Sequence, residues 1–78
     1  MIRLGDILNY IDEAAPVPFS YIHRHFGVGP ERITCQMKRL RDRGLAKRIY
    51  PEGPRPLWIL GKAGADKLDY YQAHGYFK

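Results

Sequence analysis

The chain has 78 residues, of which 45% are hydrophobic and 27% are charged, and its formal net charge is +5; these values indicate one small globular domain spanning residues 1–78. Its single cysteine excludes an intrachain disulfide, which is compatible with a reducing cytoplasm. The sequence has neither a leader-like N-terminus nor an apolar run of roughly 20 residues. We therefore expect a cytoplasmic protein with no membrane segment. The sequence shows no catalytic motif and no chelating Cys or His pair, and a core this small leaves little room for a pocket, so we expect no enzyme activity, no cofactor and no bound metal.

The positive charge is concentrated in one part of the chain. Residues 1–31 have a net charge of −2 and residues 49–78 have a net charge of +1. Residues 32–48 have a net charge of +6, because Asp42 is opposed by Arg32, Lys38, Arg39, Arg41, Arg43, Lys47 and Arg48. An uneven distribution of this kind is typical of a nucleic-acid-binding protein.

Two helices are predicted in the first third of the chain. Over residues 2–14, apolar side chains recur with the i, i+3, i+4, i+7 spacing of an amphipathic helix, namely Leu4, Ile7, Leu8 and Ile11. The Pro-Val-Pro segment at 16–18 ends this helix, and Val17 is expected to form a very short strand. The second helix is predicted over residues 18–26, packs its apolar side chains on the first helix and ends at Gly27.

A third helix is predicted over residues 30–43, after a turn of only three residues. Pro30 suits the first helical position, and Gly44 suits a left-handed cap after the last turn. The helical periodicity places Ile33, Met37 and Leu40 on the buried face. Two helices joined by a short turn that contains glycine form a helix-turn-helix motif.

The opposite face of the third helix is basic and polar. A step of about 100° per residue places on it or beside it Arg32, Thr34, Cys35, Gln36, Lys38, Arg39, Asp42 and Arg43. A surface rich in guanidinium groups, with small polar groups among them, suits insertion into a DNA major groove. The helix alone is equally consistent with a solvated charged surface.

After the third helix the pattern changes from helical to alternating. Residues 45–50 are predicted to form a strand, residues 51–54 a turn and residues 55–60 the returning strand, which together make a β-hairpin. Alternation divides the first strand into one face with Leu45, Lys47 and Ile49 and another with Ala46, Arg48 and Tyr50. Trp58 is expected to cover the core.

The last helix is predicted over residues 62–74. Gly64 is expected only to weaken it, by roughly 1 kcal/mol relative to Ala. The aromatic and apolar side chains of this region exceed what one small core can cover, so we expect a homodimer whose interface contains Leu68, Tyr70, Tyr71, Tyr76 and Phe77. The alternative is that Leu68 and Tyr71 pack back on the first helix of the same chain.

The order of these elements is that of the winged helix-turn-helix fold, an α+β fold that is mostly α. Residues 28–45 resemble the recognition segment of MarR-, PadR- and ArsR-type bacterial repressors, with Lys-Arg-Leu at 38–40 and Gly-Leu at 44–45. Residues 60–64, Leu-Gly-Lys-Ala-Gly, resemble the segment by which those proteins leave the hairpin, called the wing, and enter their last helix. The resemblance covers about residues 4–74 and implies a three-helix core, a two-stranded wing and a C-terminal helix.

The resemblance implies roles for Glu31, Arg32, Thr34, Cys35, Arg39 and Arg55. The positive charge of the exposed helix face and of the hairpin adds Lys38, Arg43, Lys47 and Arg48. The third helix would enter the major groove of double-stranded DNA, and the wing would approach the backbone. The helix residues expected to bind DNA are Glu31, Arg32, Thr34, Cys35, Lys38, Arg39 and Arg43. The wing residues expected to bind DNA are Lys47, Arg48 and Arg55.

These features predict a small transcriptional regulator that binds specific sequences of double-stranded DNA, and the resemblance implies a repressor. Two alternatives remain: a winged-helix module that binds a protein partner without binding DNA, and a module that binds RNA or a replication origin. The concentrated positive charge favours DNA, whereas a requirement for an acidic protein partner would favour the first alternative.

Overall fold

Four helices and one β-hairpin make up the part of the chain that the structure, a computed structural model, describes, which is residues 2–75. The elements are α1 (Leu4–Ala14), α2 (Phe19–His25), α3 (Pro30–Asp42), β1 (Ala46–Ile49), β2 (Leu57–Leu60) and α4 (Lys62–Ala73). The order of elements is the predicted one, and each boundary lies within one or two residues of its predicted position. No helix between residues 2 and 75 combines the length and the apolar character that crossing a membrane requires.

Two glycines end the helices of the helix-turn-helix motif in the same way. Gly27, after α2, and Gly44, after α3, have φ angles of +68° and +72°. After α3, the amide of Gly44 donates to the carbonyl of Arg41 at 3.1 Å, and the amide of Leu45 donates to the carbonyl of Leu40 at 2.8 Å. This is the hydrogen-bond pattern of a Schellman motif. It reverses the chain so sharply that β1 begins at Ala46, one residue later than predicted.

The hairpin is joined to the helices through the segment before α2. Strands β1 and β2 are antiparallel, with Ala46 opposite Leu60 and Arg48 opposite Trp58. Val17 forms a bridge to Trp58 on the other side of β2, with N–H···O distances of 3.1 and 2.7 Å. The very short strand predicted at Val17 is therefore confirmed, and it fixes the hairpin beside α1 and α2.

The core lies between the helices and the inner face of the hairpin. The predicted apolar faces of α1 and α3 are buried, and the core also takes in side chains from the other elements. Its larger members are Ile7, Leu8 and Ile11 of α1, Ile22 of α2, Ile33, Met37 and Leu40 of α3, Leu45 after α3, Trp58 of β2 and Leu68 of α4. This arrangement confirms the predicted α+β, mostly α, winged helix-turn-helix fold.

The role of Gly64 differs from the prediction. A Cβ atom built on Gly64 would overlap with the backbone carbonyl oxygen of Leu45, and one built on Gly61 would overlap with the carbonyl oxygen of Gly44. The start of α4 thus lies directly on the turn that follows α3. Glycine weakens the helix by itself, but here it permits a close approach between two backbones.

We predict that Gly64→Ala lowers the free energy of unfolding by about 1–3 kcal/mol, the usual cost of overpacking. Helix propensity alone predicts the opposite sign, a gain of roughly 1 kcal/mol. Urea unfolding followed by circular dichroism measures the change. Ala65→Gly, at the exposed neighbouring position, is the control and should cost only roughly 1 kcal/mol. A Gly64→Ala protein more stable than the parent would contradict the observed packing.

Candidate nucleic-acid interface

The face of α3 opposite the core is exposed and basic. Of the residues predicted to lie there, the structure exposes Arg32, Thr34, Cys35, Lys38 and Arg39, and it also exposes Arg43, the residue that follows the helix. The side chains leave a rigid helix whose inner face is held by Ile33, Met37 and Leu40. The core therefore sets the direction in which each of these side chains leaves the helix.

The cations of this face are free to meet an external anion. Within residues 2–75, the ion pairs are Arg3 with Asp6 at 3.2 Å and Arg41 with Asp42 at 3.7 Å. In that range, no carboxylate pairs with Arg32, Lys38, Arg39, Arg43, Lys47, Arg48 or Arg55. Cations without a carboxylate partner can neutralise the phosphates of a polyanion, and the counterions that this releases favour binding.

Two side chains at the start of α3 have contacts within the helix. The Thr34 hydroxyl donates its hydrogen to the carbonyl of Pro30 at 2.6 Å. Its oxygen lone pairs and methyl group remain available to an external partner. The Glu31 carboxylate folds back over Gly29, because its Oε1 would lie 2.8 Å from a Cβ placed there. This position suits the positive end of the helix dipole. The side chain of Glu31 is exposed, and its contact with DNA stays a prediction.

Gln36, predicted to lie beside the basic face, also has a hydrogen-bond partner within the chain. Its side-chain amide donates to the carbonyl of Ile2 at 2.9 Å and is partly buried. This bond joins α3 to the segment that precedes α1. Sequence reasoning gave no signal for it, because the two residues are far apart in the chain and meet only in the fold.

The three cations of the wing point in different directions. Lys47 and Arg48 are neighbours on β1, so they point to opposite faces of the hairpin. Arg48 is on the same face as its cross-strand neighbour Trp58, and its guanidinium carbon is 5.9 Å from the centre of the indole ring. Lys47 is opposite Ile59 on the outer face, and Arg55 is exposed in the connection between the strands. Of the three, Arg48 is therefore the one that the fold brings close to α3.

A groove of about 330 Å³ separates α3 from the hairpin. Its apolar lining comes from Phe19, Met37, Pro56 and Trp58, and its polar lining comes from Thr34, Lys38, Arg41 and Arg48. We call it the α3–hairpin groove. These residues are scattered over four parts of the chain, so no local pattern in the sequence could have predicted their meeting.

The residues predicted for a dimer interface have different environments. Leu68 is 3% exposed and belongs to the chain's own core, as the alternative to the dimer interface predicted. Tyr70 is 55% exposed and Tyr71 is half-buried. The ammonium group of Lys67 lies 5.9 Å and 5.5 Å from the centres of these two rings. The other two residues predicted for the interface, Tyr76 and Phe77, lie outside the described residues.

Comparison with solved structures supports the fold assignment. The chain is similar to FabT of Streptococcus pneumoniae, whose crystal structure was determined in complex with DNA, with a TM-score of 0.82 over 96% of this chain. The two sequences are 19% identical, and this chain spans 54% of the FabT chain, about half its length. Likeness at this level of identity shows the winged-helix fold and leaves the subfamily a prediction.

No family model matches the sequence, and no curated protein does.

Proposed function

We propose that the protein is a transcriptional regulator that binds double-stranded DNA, with α3 in the major groove and the hairpin on the sugar–phosphate backbone. The observation that carries this proposal is the exposed face of α3. It holds a run of cations that no carboxylate between residues 2 and 75 neutralises, on a helix fixed by its buried side. The similarity of the fold to a protein crystallised with DNA supports it.

Base contacts would come from the exposed face of α3 between Arg32 and Arg39. Arginine donates two parallel hydrogen bonds to the edge of guanine, which makes Arg32 and Arg39 the candidates for reading that base. Thr34 presents a methyl group and hydroxyl lone pairs, and the Cys35 side chain lies between the arginines on the exposed face. Small side chains such as these allow the helix to come close to the base edges.

Phosphate contacts would come from the end of α3 and from the hairpin. Lys38 and Arg43 on the helix side, with Lys47, Arg48 and Arg55 on the hairpin, can each neutralise one phosphate. Such contacts fix the register of the protein on the duplex, and they make the affinity depend on salt.

We also propose that the protein binds DNA as a homodimer. One α3 and one wing cover a single half-site, and a two-fold dimer would present two copies to a pseudo-palindrome. The exposed ring of Tyr70, beside Tyr71 near the end of α4, offers an aromatic surface of the kind enriched in interfaces. Leu68 has no part in this proposal, because the core covers it.

The salt dependence of binding tests the hairpin contacts. We expect Arg48→Ala, Arg55→Ala and Lys47→Ala each to reduce the slope of log affinity against log salt by about 0.9, because each removes one phosphate contact. Fluorescence anisotropy with labelled duplexes of mixed sequence, over a series of salt concentrations, gives the slope. The loss of affinity should be similar for all sequences.

Lys62→Ala is the matched control for this series, since it removes one exposed cation from α4, which has no part in the proposed DNA interface. Its slope should equal that of the parent. If the slopes of all three hairpin variants also equal that of the parent, the hairpin is not part of the DNA interface.

Sedimentation velocity over a concentration series, with and without duplex DNA, tests the dimer. We expect two chains per duplex, and we expect Tyr70→Ser to weaken self-association because it removes the exposed ring. Tyr21→Ser is the control, because Tyr21 is 57% exposed on α2, outside the proposed interface. A monomer that binds one half-site with one-to-one stoichiometry would contradict the proposal.

A further inference from the structure

The α3–hairpin groove combines an apolar floor with a cationic rim. Met37 and Trp58 are 2% and 6% exposed, and the edges of Phe19 and Pro56, both half-buried, complete the floor. Lys38 and Arg41 reach over it from α3, and Arg48 reaches over it from β1. No aspartate or glutamate of residues 2–75 lines the groove.

Phosphate binding explains the rim of this groove but not its floor. A DNA backbone presents charged oxygens, which gain from cations and gain nothing from a concave apolar surface. Apolar surface that forms a recess is stabilised when an apolar group fills it and displaces water. The floor and the rim together therefore fit a ligand that carries both an apolar group and negative charge.

The positions of the cations suggest the form of that ligand. Lys38 and Arg41 are three residues apart, so they follow one another along α3, while Arg48 stands on the opposite wall. Arg41 also lies 3.7 Å from Asp42, with both side chains largely exposed, so this pair is weak and can open. Carboxylates spread along a chain match such a row better than a single carboxylate does.

The shape of the groove favours a segment of protein over a small molecule. Sites for small molecules bury most of their ligand, whereas this groove is open along one side between the helix and the hairpin. A peptide can lie along the opening with one bulky side chain on the floor. Interfaces often take most of their energy from one such apolar side chain in a recess, with charged groups around it.

We propose that the α3–hairpin groove binds an acidic protein segment that carries one bulky apolar side chain, and that this segment competes with DNA. Bound there, the segment occupies Lys38 and Arg48, which the proposed function assigns to phosphates. The competition rests on that proposed function, but the binding of the segment does not. Binding of the acidic segment and its competition with DNA can therefore be disproved separately.

Trp58 is the only tryptophan in the chain, so its fluorescence reports on the groove directly. The probe is a short synthetic peptide of aspartate and glutamate with one central 4-bromophenylalanine, whose bromine quenches an indole in contact with it. We expect saturable quenching at physiological salt. The same peptide with alanine at the centre carries no quencher, so its affinity is measured by competition with the brominated peptide. We expect it to bind about tenfold to a hundredfold more weakly, which is the usual effect of losing a buried aromatic side chain.

Arg41→Gln tests the rim without disturbing the core, because Arg41 is exposed. We expect it to weaken peptide binding about fivefold or more, as the loss of a charge-assisted hydrogen bond does. Arg24→Gln removes the same charge from an exposed position on α2, outside the groove, and should leave the affinity for the peptide close to that of the parent.

Five results would overturn parts of this proposal. Equal affinity for the bromophenylalanine and alanine peptides would show attraction by charge alone, and equal losses in Arg41→Gln and Arg24→Gln would show the same. Quenching of Trp58 by free 4-bromobenzoate, at the concentrations at which the peptide quenches it, would show that the groove binds a small acid. A change of Trp58 emission with protein concentration, without peptide, would show that the groove binds a second copy of the chain. If peptide and duplex DNA bind together, the competition is wrong. A protein that binds the peptide but no DNA would overturn the proposed function and leave the groove assignment intact.

Discussion

The turn at Gly44 and Leu45 is the point on which the rest of the structure depends. The two amides end α3 by donating to Arg41 and Leu40, and the Leu45 carbonyl accepts a hydrogen bond from the amide of Gly61 at 3.0 Å. The backbone of Gly64 lies against that same carbonyl. One dipeptide thus fixes the end of α3, the start of the hairpin and the start of α4. A left-handed φ of +72° at Gly44 and the lack of a side chain on Gly64 make this possible.

This junction determines where the charged groups lie. It returns the chain directly from α3 into β1, so the inner face of the hairpin stands beside α3 and brings Arg48 over Trp58. Lys38 and Arg41 of α3 and Arg48 of the hairpin then line one groove. The bridge from Val17 to Trp58 holds the other side of the hairpin. The candidate interface and the proposed peptide groove therefore both follow from the packing of a few backbone groups.

Much of the fold could be predicted because the signals were local. Apolar periodicity identified the buried face of α3, and Gly44 marked its end. The two faces of β1 followed from alternation, but which face meets α3 depends on tertiary packing. The same limit applies to Gly64, where a helix-propensity argument could not anticipate a contact with Leu45, and to Leu68, which the core covers.

Reactivity of Cys35, the only cysteine in the chain, tests the central claim most directly, because the thiol is exposed in the middle of the basic face of α3. The rate of its alkylation by iodoacetamide, an uncharged reagent, can be measured in the native protein without any mutation. With duplex DNA at about 100 times its dissociation constant, the rate should fall towards one-hundredth of the rate without DNA. An unchanged rate on a protein saturated with DNA would show that the duplex lies elsewhere, and would contradict the placement of α3 in the major groove.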